Sequence, residues 1–252
     1  MNPAFSLHGK RVLVTGANTG IGQGICLGIG RAGGAVVGAG RSATDETALA
    51  MSRIGAPFEE RRCDLSDHRA AQAMLEEVWR ETGPLDGLVN NAGIIRRQDA
   101  LEFSEADWDA VMDVNLKSLF FLAQAFARRA LAEGREGRIV NIASVLSFQG
   151  GIRVASYTAS KHGVLGVTRL LACEWAAKGI NVNTIVPGYI ETNNTEALRA
   201  DPDRSAAILS RIPAGRWGRP EDIGDTAVYL LAPASRYVHG AAVPVDGGWL
   251  AR

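Results

Sequence analysis

In the run Ser156-Tyr157-Thr158-Ala159-Ser160-Lys161, a tyrosine stands four residues ahead of a lysine, so a phenol and an ammonium lie side by side on one helical face. A free phenol ionises near roughly 10, and a fixed neighbouring cation favours the phenolate. Proton exchange with a bound molecule near neutral pH is the chemistry such a pair offers. The same spacing also suits a solvated surface pair, so the reading depends on what else the chain brings to these two residues.

The elements that would position them follow from the apolar pattern. Short apolar runs at 11–15, 35–39, 87–90, 138–142, 181–186 and 242–245 read as strands buried on both faces. Longer amphipathic segments at 20–32, 68–82, 106–132, 156–178 and 221–232 read as helices bounded by Gly, Pro, Ser or Asp. This alternation predicts an α/β fold, a Rossmann-type doubly wound parallel sheet in a single domain over 1–252. The least regular stretch, 189–217, follows a strand at the end where open α/β sheets place ligands, and is expected to cover the substrate. A plain surface loop with a short helix is the other reading of it.

The first strand runs straight into Thr15-Gly16-Ala17-Asn18-Thr19-Gly20-Ile21-Gly22. Glycines there permit a tight turn and let backbone N–H groups approach a pyrophosphate at a helix N-terminus. The spacing differs from G-x-G-x-x-G, and it is the position between strand and helix that supports a dinucleotide cradle. Asp64-Leu65 and Asn90-Asn91-Ala92-Gly93 follow later strands, where adenine and ribose would lie. After the second strand many NAD sites carry a carboxylate, but this chain reads Ala39-Gly40-Arg41-Ser42. Arg41 could pair with a 2′-phosphate, with Ser42 donating a hydrogen bond, so the local chemistry leans toward NADP(H). An exposed loop arginine is the alternative.

Bulk composition narrows the class. Over 252 residues, 46% hydrophobic, acidic and basic groups balance at 27 each, which leaves no electrostatic footprint of a nucleic-acid or anionic-membrane binder. The three cysteines, Cys26, Cys63 and Cys173, lie far apart without paired ligand spacing, and the four histidines are scattered, so neither a disulfide framework nor a metal site is expected. The opening residues lack an apolar leader core and no uninterrupted apolar run approaches ~18 residues, so a soluble cytoplasmic protein is expected.

With 15–22, 90–93, Asn115, Ser144, Tyr157, Lys161 and Pro187-Gly188 in this order, essentially the whole chain resembles a short-chain dehydrogenase/reductase. The resemblance implies that Tyr157 is the general acid in carbonyl reduction and the base in alcohol oxidation. It implies that Ser144 hydrogen-bonds the reacting oxygen, and that Lys161 lowers the Tyr157 pKa and binds the nicotinamide ribose. Asn115 would hold a water linking Lys161 to solvent. Pro187, Gly188, Ile190 and Thr192 match the segment that contacts carboxamide and pyrophosphate. The family also implies a homotetramer, to which the helices 106–132 and 156–178 would contribute unless their apolar stripes are spent on the sheet.

Segments the fold does not demand, 93–104, 147–153, 188–195 and 245–252, resemble the branch of the family that acts on deoxy sugar acids. Arg96, Arg97 and Arg153 follow sheet-end motifs, and arginine grips a carboxylate through paired hydrogen bonds. Gln149, Asn193 and Asn194 could bind hydroxyls, and Trp217 could wall the pocket. That branch uses NAD(H) where Arg41 favours NADP(H), so NAD(P)(H) stays open. A dehydrogenase acting at C5 of gluconate, a reductase of a 3-oxoacyl-acyl-carrier-protein thioester, or a dinucleotide sensor without turnover are the competing readings.

Overall fold

The structure, a computed structural model, describes residues 2–252. Seven strands, β1 (Arg11–Thr15), β2 (Ala35–Gly40), β3 (Phe58–Arg62), β4 (Gly87–Asn90), β5 (Gly137–Ile142), β6 (Ile180–Pro187) and β7 (Ala242–Val245), form one sheet. Its order is β3-β2-β1-β4-β5-β6-β7, and every neighbouring pair is parallel. The chain winds outward from β1 through β2 to β3 and then returns to β4 on the other side of β1. That reversal opens a crevice at the carboxyl ends of β1 and β4.

Helices cover both faces: α1 (Gly20–Arg31), α2 (Asp45–Arg53), α3 (His68–Thr82), α4 (Glu105–Met112), α5 (Leu119–Ala132), α6 (Ala155–Trp175), α7 (Glu196–Ala200), α8 (Pro202–Leu209) and α9 (Pro220–Leu231). Alternation along β1 divides the core in two. Leu13 points into one layer with Leu75, Val78, Leu122 and Phe126 from α3 and α5, and Val12 and Val14 point into the other with Ile25, Ile29, Ile223 and Leu230 from α1 and α9. On this second face α1 and α9 meet through glycines, since a Cβ at Gly224 would fall 2.5 Å from the Gly24 carbonyl oxygen. The two helices can approach this closely only where neither carries a side chain at the crossing.

Several elements depart from the pattern read in sequence. The β3 strand, Phe-Glu-Glu-Arg-Arg, is not among the apolar runs because it is a sheet edge whose charged side chains are partly exposed. Helix α2 has only Thr47 and Met51 buried, too short a stripe to register as a helical period. The long helix expected at 106–132 is broken by a π-helical turn, Asp113–Ser118. Taken together, Glu105–Ala132 is long and apolar enough by composition to cross a membrane, yet half of its most apolar window is buried inside this fold. The opposite edge, β7, is only partly buried, so it is not a strand covered on both faces. The stretch 189–217 contains the two short helices α7 and α8.

Candidate active site

The loop joining β1 to α1 is shaped by steric necessity. A Cβ at Gly22 would lie 2.0 Å from the Gly16 carbonyl oxygen and 2.6 Å from the Asn91 amide nitrogen, so the turn closes only with hydrogen there. Asn91 ties this loop to the end of β4: its Nδ2 donates to the Thr15 and Gly16 carbonyls at 2.9 and 3.1 Å. The Thr15 hydroxyl in turn accepts from the Asn91 and Ala92 amides, both at 3.0 Å. From the far side Thr192 brings its methyl 3.1 Å from where a Gly20 side chain would start.

A cavity of about 310 Å³ runs through this crevice. Gly16, Asn18, Thr19, Gly20, Ile21 and Gly22 line one end. Asn91, Ala92 and Gly93, then Pro187, Gly188, Ile190, Thr192, Asn193 and Asn194 form its sides, and Ser144, Tyr157 and Lys161 close the inner end. Sequence reading missed Ile94, Ile142, Ala143 and Thr195 in the lining. Of these Thr195 had a signal, the Thr192-x-x-Thr195 spacing of a capping box, in which the Thr195 hydroxyl accepts from the Thr192 amide and donates to the Ile190 carbonyl at 2.6 Å.

At the inner end Lys161 is nearly buried, at 4% exposure, and its Nζ donates to the Ile142 carbonyl at 2.7 Å. The ammonium sits 5.6 Å from the centre of the Tyr157 ring. Burial brings Lys161 down from 10.5 to about 8. Burial likewise pushes the Tyr157 phenol up, and the Ser144 hydroxyl and the charge of Arg97 pull it part of the way back. The expected lowering of Tyr157 by Lys161 is therefore not what the site shows. The phenol loses more from missing water than it gains from Ser144 and Arg97.

Asn115 lies on the π-helical turn, and its side chain is spent on backbone and a neighbouring hydroxyl. Its Oδ1 accepts from the Ile94 amide at 2.8 Å, and its Nδ2 donates to the Ile94 carbonyl at 3.0 Å and to Ser160 Oγ at 3.2 Å. Gly93 keeps the space beside it open, since a Cβ there would stand 3.3 Å from Asn115 Oδ1 and 3.7 Å from Lys161 Nζ. Beneath the site a buried chain of side chains crosses the sheet: Asn90 Nδ2 to Asn141 Oδ1 at 2.9 Å, Asn141 Nδ2 to Thr168 Oγ1 at 2.9 Å, and Thr184 Oγ1 to Thr168 Oγ1 at 2.7 Å. It fastens the Tyr157 face of α6, two turns below Lys161, to β4, β5 and β6.

Residues 16–250 match the family model adh_short_C2, described as enoyl-(acyl carrier protein) reductase. The chain is 56% identical to 2-dehydro-3-deoxy-D-gluconate 5-dehydrogenase of Escherichia coli K12 over 249 residues, covering 99% of this chain and 98% of that one. The chain belongs to the short-chain dehydrogenase/reductase family. A solved structure of a candidate 2-deoxy-D-gluconate 3-dehydrogenase from Agrobacterium tumefaciens with bound NADP is 61% identical, superposes with a TM-score of 0.94 and is matched over 100% of both chains. A gluconate 5-dehydrogenase from Burkholderia cenocepacia, solved with NADP and tartrate, is 37% identical with a TM-score of 0.92, over 99% of this chain and 98% of that one.

Not every residue expected from the short-chain dehydrogenase/reductase pattern reaches the cavity. Arg41 and Ser42 are exposed at the end of β2, where the Arg41 carbonyl accepts from Arg62 Nη1 at 3.1 Å, and Asp64 caps the turn at Ser66. Leu65 is in the core. Of the three arginines, Arg96 is paired with Asp107 at 3.1 Å and Arg153 with Asp99 at 3.3 Å. Arg97 makes no ion pair among the described residues, and its Nη2 donates to the Asn194 carbonyl at 3.4 Å. Gln149 accepts from the Trp249 indole at 2.8 Å rather than lining the cavity. Trp217 is also not a wall: it is 7% exposed and its ring packs edge-on against Tyr189 at 5.6 Å.

Proposed function

We propose that this oxidoreductase interconverts 2,5-didehydro-3-deoxy-D-gluconate and 2-dehydro-3-deoxy-D-gluconate with NAD(P)(H), acting through Tyr157. The observation that carries the reading is the meeting of Ser144, Tyr157 and Lys161 at one end of a cradle shaped for a dinucleotide, with Arg97 bonded to the Asn194 carbonyl on its rim. The 56% identity to a dehydrogenase of that substrate supports the choice of sugar acid.

A nicotinamide bound in the cradle supplies or takes the hydride. Tyr157 gives its proton to the carbonyl oxygen in reduction and removes it from the alcohol in oxidation. Ser144 donates to the same oxygen, where charge develops in the transition state. Lys161 would hold the ribose hydroxyls, and Asn115, its side chain committed to Ile94 and Ser160, would hold through its main chain a water in the path that returns protons to Tyr157. Gly16, Asn18 to Gly22, Asn91 to Gly93, Pro187, Gly188, Ile190 and Thr192 bind the cofactor, with Arg41 and Ser42 on the 2′-phosphate and Asp64 and Leu65 beside the adenine. NADP bound in the 61% identical relative agrees with Arg41. Arg97 grips the substrate carboxylate, since it stands beside the cavity residue Asn194 while Arg96 and Arg153 meet Asp107 and Asp99 on the surface. Asn193 and Asn194 contact hydroxyls.

The whole chain acts as one domain, with 189–217 covering the substrate, in a cytoplasmic homotetramer. The reading is tested by following nicotinamide absorbance with 2-dehydro-3-deoxygluconate, gluconate and a 3-oxoacyl thioester, each with NAD and NADP in the appropriate redox state. The deoxy sugar acid should give the highest kcat/KM, and a higher value for gluconate or the thioester would overturn the substrate.

A further inference from the structure

The covering segment meets the dinucleotide cradle at Thr192, and Thr195, one short turn later, is the residue that holds it there. The Thr192 methyl stands 3.1 Å from where a Gly20 side chain would start, and Gly20 opens α1 with a φ of +56°. Gly20, Ile190, Thr192 and Thr195 all line the cavity that Ser144, Tyr157 and Lys161 close. What fixes Thr192 is thus settled inside the site itself.

The chain just before this turn is anchored. Gly218 donates to the Tyr189 carbonyl at 2.9 Å and accepts from the Glu191 amide at 2.8 Å, so Ile190 lies in a parallel bridge with Gly218. Beyond it comes the short turn Asn193–Thr195, from which the Thr195 hydroxyl reaches back. It accepts from the Thr192 amide at 3.1 Å and donates to the Ile190 carbonyl at 2.6 Å. A hydroxyl carries one proton, and here Ile190 takes it, so none is left to give a ligand. The Thr192 carbonyl accepts from the Thr195 amide at 3.1 Å and from Arg199 Nη2 at 3.3 Å, which closes the turn onto α7.

We propose that Thr195 is a positioning residue for the nicotinamide half of the cofactor: its hydroxyl joins the Thr192 amide to the anchored Ile190 carbonyl and so holds Thr192 against Gly20. The proposal rests on the dinucleotide reading above, in which Thr192 contacts carboxamide and pyrophosphate. Without the hydroxyl, the Thr192 amide and the Ile190 carbonyl lose their partner and the turn is free to lift from the cradle. Part of the cofactor's binding energy then goes into ordering it. The adenosine half, which that reading places at Arg41, Ser42, Asp64 and Leu65, does not depend on the turn.

The test compares Thr195→Val, which keeps the shape and removes the hydroxyl, with Thr195→Ser, which restores it. Titration calorimetry is run with NADP or NAD, whichever the wild type binds more tightly, and with the matching adenosine fragment, adenosine 2′,5′-bisphosphate or AMP. The cofactor Kd should rise on the order of 5- to 30-fold in the valine variant, the worth of one to two hydrogen bonds, and stay within about twofold of wild type in the serine variant. The fragment Kd should be the same in all three proteins. A role in stability alone would lower Tm and leave the cofactor Kd unchanged, and that result would overturn the proposal. An equal rise for the fragment, or a serine variant as weak as the valine one, would overturn it too. If Thr195→Val does not fold, Thr195→Ala carries the same readout: a rise of about 3-fold or more is expected, and an unchanged cofactor Kd counts against the proposal. Failure of the wild type on 2-dehydro-3-deoxygluconate, with these affinities as stated, would sink only the choice of substrate. A wild type that binds neither NADP nor NAD would sink the dinucleotide reading and the proposal together.

Discussion

At Tyr157 the decisive force is desolvation, which outweighs the polar neighbours of the phenol. The phenol is pushed up by burial, with Ser144 and Arg97 pulling it back. In the free enzyme the phenolate is thus scarce at neutral pH, and kcat/KM for the cofactor, taken at saturating sugar acid, reports the ionisation of that form. Oxidation needs the phenolate and reduction the phenol. The kcat/KM for oxidation should climb steadily from pH 7 into the alkaline range, approaching tenfold per unit while the phenol predominates, and that for reduction should fall only at the alkaline end. A profile for oxidation that is flat from about pH 6 to 9 would show a phenolate already formed at neutrality and contradict this account. Much of this chemistry is legible in the chain itself, because the Tyr157-Lys161 spacing, the glycines and Ser144 are local signals. The partners of the arginines are not local. Arg153 meets Asp99, 54 positions away, and Arg96 meets Asp107 across a loop, pairings that only the folded chain reveals.

Among the elements, strongly periodic ones were legible and edge or interrupted ones were not. β3 is charged because it is an edge, and the π-helical turn at Asp113–Ser118 is invisible to a pattern that continues through it. The helix faces also separate two roles that composition merges. Leu122, Ala123 and Phe126 of α5 are spent on the sheet and α3, and Phe121 packs on His68 at 4.6 Å. By contrast α4 and α6 leave Trp108 40% and Leu170 50% exposed. Burying such a face against another copy would stabilise an oligomer by about 25 cal/mol per Å² of apolar area. The wild-type chain should sediment as four subunits, and Leu170→Glu should shift it to smaller species at micromolar concentration. A four-subunit mass that survives this substitution would place the contact elsewhere.

At the scale of the whole molecule, the parallel sheet with its reversal at β1 and β4 does one thing for function: it brings the ends of β1, β4, β5 and β6 to one crevice. The order of motifs along the chain made that crevice predictable. The aromatic cluster behind it was not, because Tyr189, Trp217 and Trp249 meet from two stretches of chain, and Trp217, read as a pocket wall, turns out to support Tyr189 instead. The central claim is that this assembly exists to let Tyr157 exchange a proton with a substrate oxygen while hydride moves. Its most direct test is Tyr157→Phe, measured for NADP(H) binding by titration calorimetry and for turnover of the deoxy sugar acid by nicotinamide absorbance. Cofactor affinity should stay within a few-fold of wild type while kcat drops by roughly 10² to 10⁴, the span of general acid–base catalysis. A variant that binds cofactor and still turns over within tenfold of wild type would contradict the account.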